Sequence, residues 1–142
     1  MRFNVLIVDD SAVMRKMILR TLQLSGLPMG EVHEAGNGQE ALDVMDAEWI
    51  DLALVDINMP VMNGEEFIRR VRKSPEFRDL SIIVVSTESS ETRIEAIRGL
   101  GALFVHKPFT PDTLRERVLE ITGVSHELVA GFDAAAGGDF DF

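Results

Sequence analysis

Four short apolar runs, each closed by polar groups, constrain the fold of this chain more than anything else in it. Val5-Leu6-Ile7-Val8 ends in Asp9-Asp10, and Leu52-Ala53-Leu54-Val55 ends in Asp56. Ile82-Ile83-Val84-Val85 ends in Ser86-Thr87, and Leu103-Phe104-Val105 in His106-Lys107-Pro108. Runs of this kind read as strands, and one continuous in its hydrophobicity reads as a strand covered on both faces. In an open parallel sheet, ligands bind just beyond the carboxyl ends of the strands. The four runs would therefore deliver three acids, a hydroxyl and an amine to one edge, which is the raw material for a metal-assisted phosphoryl site.

Helix-like segments alternate with the runs. Phe3 to Val8 opens as a strand, and Met14, Met17, Ile18, Thr21 and Leu22 then share one helical face. The segment from Gly26 to Gly30 turns the chain, and Glu31 to Ala35 alternates weakly, as an edge strand does. Asn37-Gly38-Gln39-Glu40 and Asn63-Gly64-Glu65-Glu66 both carry a capping side chain with a Glu three residues on. Ala41, Leu42 and Met45 supply the inner face of the first of these helices, and Phe67, Ile68 and Val71 that of the second, which Ser74-Pro75 stops. Ser89 or Ser90 caps a helix bearing Ile94 and Ile97. Thr110-Pro111-Asp112 opens the last helix, with Leu114, Val118 and Ile121 on its buried stripe. Five strands and five helices in strict alternation predict right-handed βαβ units and a parallel sheet with helices on both faces.

A chain of 142 residues suits one domain with a proper core. It has no cysteine, so disulfides and cysteine-based zinc sites are excluded. No stretch approaches the 18 or so apolar residues that a spanning helix needs, so no membrane insertion is expected. The strand that begins almost at the N-terminus leaves no room for a signal peptide, and a cytoplasmic location is the expectation. A formal net charge of −10 argues against non-specific nucleic-acid binding. Residues 123–142 hold Glu127, Asp133, Asp139 and Asp141 with no Lys or Arg, and read as an acidic Gly/Phe-containing tail, flexible or docking.

Val8-Asp9-Asp10-Ser11, Asp56 with Met59-Pro60 and Gly64 downstream, a strand-ending Ser86, and Lys107-Pro108-Phe109 occur in that order, about one βα unit apart. On these motifs, residues 1 to about 122 resemble the receiver domain of two-component response regulators, most closely the single-domain chemotaxis type. The resemblance implies a flavodoxin-like, doubly wound sandwich with strand order 2-1-3-4-5. It implies that Asp56 accepts a phosphoryl group from a sensor histidine kinase. It further implies magnesium held by Asp10, Asp56 and the Asn58 backbone carbonyl, with Asp9 acting through a water, and a cis peptide at Lys107-Pro108. A carboxylate can hold a phosphoryl group as an acyl phosphate, but an anion attacking an anion needs added positive charge. Mg2+ with its preference for oxygen ligands supplies that, and Lys107 adds a second cation.

The same resemblance makes Ser86 the switch hydroxyl, with Thr87 the competing candidate. Phe104 takes the place of the switch aromatic, which in the family is often Tyr and bonds through a hydroxyl that Phe lacks. Asn58 and Glu88 would face the water side of the phosphoryl group, and a phosphoaspartate lasting seconds to minutes is inferred. The chain is one residue shorter between Gly101 and Lys107 than the best-known chemotaxis members. Output is expected through the fourth helix, fifth strand and fifth helix, by protein contact, since no room follows Ile121 for a DNA-binding unit.

The predicted role is thus a signalling switch that catalyses only its own phosphorylation and dephosphorylation. The receiver portion of a larger regulator is one alternative, and a scaffold that uses the fold without the chemistry is another. A third is an aspartate-nucleophile phosphatase of the haloacid dehalogenase kind, which wants an Asp where Asn58 stands. His33, His106 and His126 form no metal triad by spacing. Trp49 is expected to pack, and Arg69, Arg70, Arg72 and Lys73 to form a solvated face.

Overall fold

The computed structural model describes residues 2–123, so the expected tail lies, apart from Gly123, outside the described residues. Strands β1 (Phe3–Val8), β2 (Met29–Ala35), β3 (Leu52–Val55), β4 (Ser81–Ser86) and β5 (Leu103–His106) alternate with five helices. These are α1 (Ala12–Leu24), α2 (Gly38–Ala47), α3 (Gly64–Lys73), α4 (Glu91–Gly99) and α5 (Pro111–Thr122). All strand pairs are parallel, in the order β2-β1-β3-β4-β5 that was expected. Edge strand β2 starts at Met29, two residues before its alternating pattern does, because Phe3 pairs with Met29 across the sheet.

Alternate side chains of each strand feed opposite layers. Val5 and Ile7 join Leu54, Ile83 and Val105 in a core under Ile18 and Leu22 of α1 and Leu114 and Val118 of α5. Leu6 and Val8 join Ala53, Val55 and Val84 in a second core with Ala41 and Met45 of α2, Phe67, Ile68 and Val71 of α3, and Ile94 and Ile97 of α4. Burial on both sides explains why β3 is apolar at all four positions. Met17, expected on the inner face of α1, is instead 53% exposed. That face narrows to Ile18 and Leu22, with Met14 at its margin.

Helices α2, α3 and α5 begin at the caps their sequence signals, and α4 at one of the two it offers. Asn37 Oδ1 accepts from Glu40 N at 2.9 Å and Asn63 Oδ1 from Glu66 N at 2.9 Å. Ser90, not Ser89, caps α4, and Thr110 caps α5 with Pro111 in the first turn. Among the described residues no helix is long and apolar enough to cross a membrane.

Two expectations about the periphery fail. Trp49 does not pack: it is 77% exposed. Arg72 does not belong to a solvated face. Its guanidinium reaches across the α3–β4 and α4–β5 connections and donates to the carbonyls of Leu100 (2.6 Å), Leu80 (2.7 Å), Arg78 (2.9 Å) and Gly101 (3.3 Å). The neighbouring Arg69 and Arg70 are exposed and make i,i+4 pairs with Glu65 and Glu66.

Candidate functional site

Strand register sets the site. Val8 lies beside Val55 in the parallel ladder, so the next residues, Asp9 and Asp56, emerge together at the carboxyl edge. The ladder continues past the strand ends: Asp56 N donates to Val8 O (2.9 Å), and Asp9 N donates to Ala35 O (3.1 Å). On the other flank Ser86 pairs with His106, and Lys107 N donates to Ser86 O (2.9 Å). The ends of four strands, β1, β3, β4 and β5, therefore meet at one edge with their backbones fixed.

Lys107 Nζ stands 3.5 Å from Asp9 Oδ2 and 3.9 Å from Asp56 Oδ1. Carboxylate oxygens of Asp9, Asp10 and Asp56 lie within 4.8 Å of one another. Asp9 is 2% exposed, and its Oδ1 accepts from Ser11 N at 2.9 Å. Its Oδ2 is buried and takes no hydrogen bond. The Asp56 side chain is 13% exposed and accepts from its neighbour Ile57 N at 2.9 Å. Burial above all pushes the Asp56 carboxyl above its ordinary pKa, against the pull of Lys107, while Asp9 and Asp10 push the same way as burial.

Three carboxylates facing one ammonium leave an excess of negative charge. That excess, the orphaned Asp9 Oδ2 and the all-oxygen donor set suit a hard divalent cation. Asp10 is exposed at the rim. A second group, Glu31, His33 and Glu48, also brings ligand-type atoms within 4.8 Å, but it lies away from this edge and His33 Nε2 there faces Glu31 Oε2 at 3.4 Å.

The remaining residues named from sequence surround this centre unevenly. Ser86 is buried, and its Oγ accepts from Glu88 N at 3.1 Å, whereas Thr87 is exposed. Glu88 bends toward α4, where its Oε1 accepts from Arg93 Nη1 at 3.0 Å. Asn58 is exposed in the loop after β3. Phe104 lies inside the core at 7% exposure, its ring 4.7 Å from that of exposed His106. The Lys107-Pro108 peptide is cis.

Sequence reasoning missed the groups that hold these loops. Arg15 Nη1 donates to the Asp9 carbonyl at 2.6 Å while Nε binds Glu34 Oε1 at 2.9 Å, tying the turn after β1 to β2. No local signal marks Arg15, because its partners are remote or backbone. In the β3–α3 loop, Val61 adopts φ 67, rare for a β-branched residue, and Met62 N donates to Pro60 O at 2.7 Å. Met62 turns inward against Gly38, where a Cβ would come within 3 Å of the Met62 side chain. Gly64 was visible in the motif, and its reason is close approach: a Cβ there would sit 2.2 Å from the Asp56 carbonyl oxygen.

Comparison with known proteins agrees with this geometry. The model for the response regulator receiver domain matches residues 5–119. A chemotaxis protein CheY homolog of Campylobacter jejuni is 37% identical over 122 residues, 84% of this chain and 92% of that protein. CheY1 of Helicobacter pylori is also 37% identical, over 86% of this chain and 98% of its own. The solved structure of Vibrio cholerae CheY4 superposes with a TM-score of 0.75 at 35% identity, covering 85% of this chain and 99% of that one. With the fold, the strand-end acids and the sequence match in agreement, the chain belongs to the response regulator receiver domain family.

Proposed function

We propose that Asp56 is the phosphoacceptor of a phosphorelay and that its phosphorylation switches the affinity of this chain for a protein partner. The convergence of Asp9, Asp10 and Lys107 on the Asp56 carboxylate carries this reading. An Asp56 carboxylate oxygen attacks the phosphorus of a phosphohistidine on a sensor kinase. The P–N bond breaks, and the imidazole nitrogen keeps the electron pair. Lys107 meets the incoming phosphoryl oxygens with positive charge and holds them in line. Asp9, Asp10, Asp56 and the Asn58 backbone carbonyl would hold Mg2+, which when bound neutralises charge that develops on the phosphoryl oxygens. Hydrolysis reverses the state: water attacks phosphorus, the P–O bond to Asp56 breaks, and inorganic phosphate leaves. Asn58 borders the open side from which that water comes, and Glu88 does so once it leaves Arg93.

Ser86 couples chemistry to shape. Its hydroxyl, now an acceptor for Glu88 N, can donate to a phosphoryl oxygen and draw the β4–α4 loop inward. Phe104 belongs to the core cluster that includes Ile94 and Ile97 of α4, so the α4–β5–α5 face would respond as a two-state population shift. The relatives that match over nearly their whole length are named as chemotaxis proteins, which favours an output partner in that process.

Incubation with a small-molecule phosphodonor, with and without Mg2+, tests the reading on wild type and Asp56→Asn. A mass increase of one phosphoryl group confined to metal-loaded wild type is the expected result. An unchanged mass in every sample, or an equal adduct on Asp56→Asn, overturns it.

A further inference from the structure

At the amino edge of the sheet, opposite the acids, a cleft of about 430 Å³ opens between the end of α2, the entry to β3 and the α3–β4 connection. Its apolar lining is Met45, Ile50, Phe77 and Leu80. Trp49 stands at this cleft with 77% of its surface exposed. The ring is nevertheless held in place. Its Nε1 donates to Asp51 Oδ1 (2.9 Å), and Asp51 Oδ2 accepts from Asn4 N (2.9 Å). An exposed aromatic that is already fixed loses little entropy on binding, which is how preorganised contact residues gain affinity.

The polar part of the lining has one sign. Asp46, Glu48, Asp51, Glu76 and Asp79 contribute carboxylates, and no Lys or Arg lines the cleft. Cations over an indole face are attracted by its quadrupole, and tryptophan is the strongest such partner. The chain's own acidic tail, with four acids and no Lys or Arg in residues 123–142, has the wrong charge for this place. So does a second copy of a chain with net charge −10.

We infer that the Trp49 cleft docks a basic segment of another protein, with an Arg or Lys over the indole and an apolar side chain among Met45, Ile50, Phe77 and Leu80. Asp51 precedes and Asp56 follows the four-residue strand β3, so five residue steps, roughly 16 Å at about 3.3 Å per residue, separate this cleft from the acid cluster. A partner held here leaves Asp56, Lys107 and the α4–β5–α5 face uncovered. Docking is therefore independent of phosphorylation, and it would keep the switch near its partner in both states.

Trp49 is the chain's single tryptophan, so its fluorescence reports on the cleft directly. The probe is a short peptide alternating arginine and leucine, and the control alternates glutamate and leucine. The arginine peptide should give a saturable blue shift of Trp49 emission, with affinity unchanged by prior phosphorylation of Asp56. Binding to Asp46→Lys/Glu76→Lys should be at least about tenfold weaker. Far-UV circular dichroism checks that variant's fold, and Asp46→Asn/Glu76→Gln replaces it if the fold is lost. No saturable shift up to millimolar peptide, equal binding of the two peptides, or equal affinity in the charge variant overturns the inference. A Trp49 shift that follows protein concentration without peptide would assign the cleft to a second copy and overturn it as well.

Discussion

The Lys107 ammonium lies 3.9 Å from Asp56 Oδ1, held there by a backbone hydrogen bond from Lys107 N to Ser86 O across the β4–β5 register. It is the one cation among the described residues that pairs with this acid cluster. Replacing it with Met keeps the length of the side chain and removes the charge that meets the phosphoryl oxygens. Loss of one preorganised electrostatic partner typically costs about 10²–10³ in rate. Lys107→Met should slow phosphorylation of Asp56 from a small phosphodonor by about 100-fold at saturating Mg2+. Mass spectrometry of timed samples reads this, and a rate within threefold of wild type would show that Lys107 plays no such part.

Asp9 Oδ2 is buried with no hydrogen bond, and the Lys107 ammonium 3.5 Å away is shared with Asp56, so the pocket keeps uncompensated negative charge. A ligand that binds only the folded chain stabilises it by about 2.7 kcal/mol at about 100 times its dissociation constant. Mg2+ should therefore raise the melting temperature of wild type by several degrees. Asp9→Asn and Asp10→Asn should each blunt the shift severalfold, since the pocket loses a full negative charge. Thermal melts across a Mg2+ series, with Na+ at matched ionic strength, check this. A shift of equal size in the variants would place the ion elsewhere.

What the letters reveal and what they conceal divides along contact distance. The apolar runs placed β1 and β3 to the residue, because strands buried on both faces are apolar at all four positions of β3 and at every position of β1 but Asn4. Asn37, Asn63 and Thr110 marked their helices because a cap acts on amides three residues away. Asp9, Asp56 and Lys107 could be grouped because each follows a run whose end the fold class sends to one edge. Arg72 could not be read, since its acceptors at Leu100 and Gly101 lie 28 and 29 residues away, and its neighbours Arg69 and Arg70 are exposed as the charge run suggests. Trp49 misled for the reverse reason. An aromatic beside a strand usually packs, and only the assembled cleft shows that this ring points outward.

Burial raises the Asp56 carboxyl above its ordinary value of 3.8. The folded chain then binds more protons than the unfolded chain in the window just above that value, so stability falls as pH rises through it. Ionised Asp56 therefore opposes folding at neutral pH in metal-free solution, and an uncharged isostere relieves this. Metal-free Asp56→Asn should melt higher than wild type at pH 7, and the gap should close as pH falls below 3.8, where both side chains are neutral. Melting curves over that range in chelator decide the matter, and a variant less stable than wild type at pH 7 would contradict the sign.

Arg72 donates to four backbone carbonyls from a half-buried position. Its planar fork satisfies carbonyls of the α3–β4 connection, at Arg78 and Leu80, and of the α4–β5 connection, at Leu100 and Gly101. Hydrogen bonds from a charged donor contribute about 1.5–3 kcal/mol each when buried, but here water can reach the carbonyls of Arg78 and Gly101. Arg72→Met should therefore destabilise the chain by about 2–3 kcal/mol, far below the sum of four such bonds. Arg72→Lys should recover little, because one ammonium cannot reach both connections with the fork geometry of a guanidinium. Arg70→Ala on the same helix removes only an exposed i,i+4 pair and should cost about 0.5 kcal/mol or less. Urea denaturation separates these cases. The midpoint should drop for Arg72→Met with an unchanged slope, and equal midpoints for Arg72→Met and Arg70→Ala would show that the bridge between the two connections carries no stability.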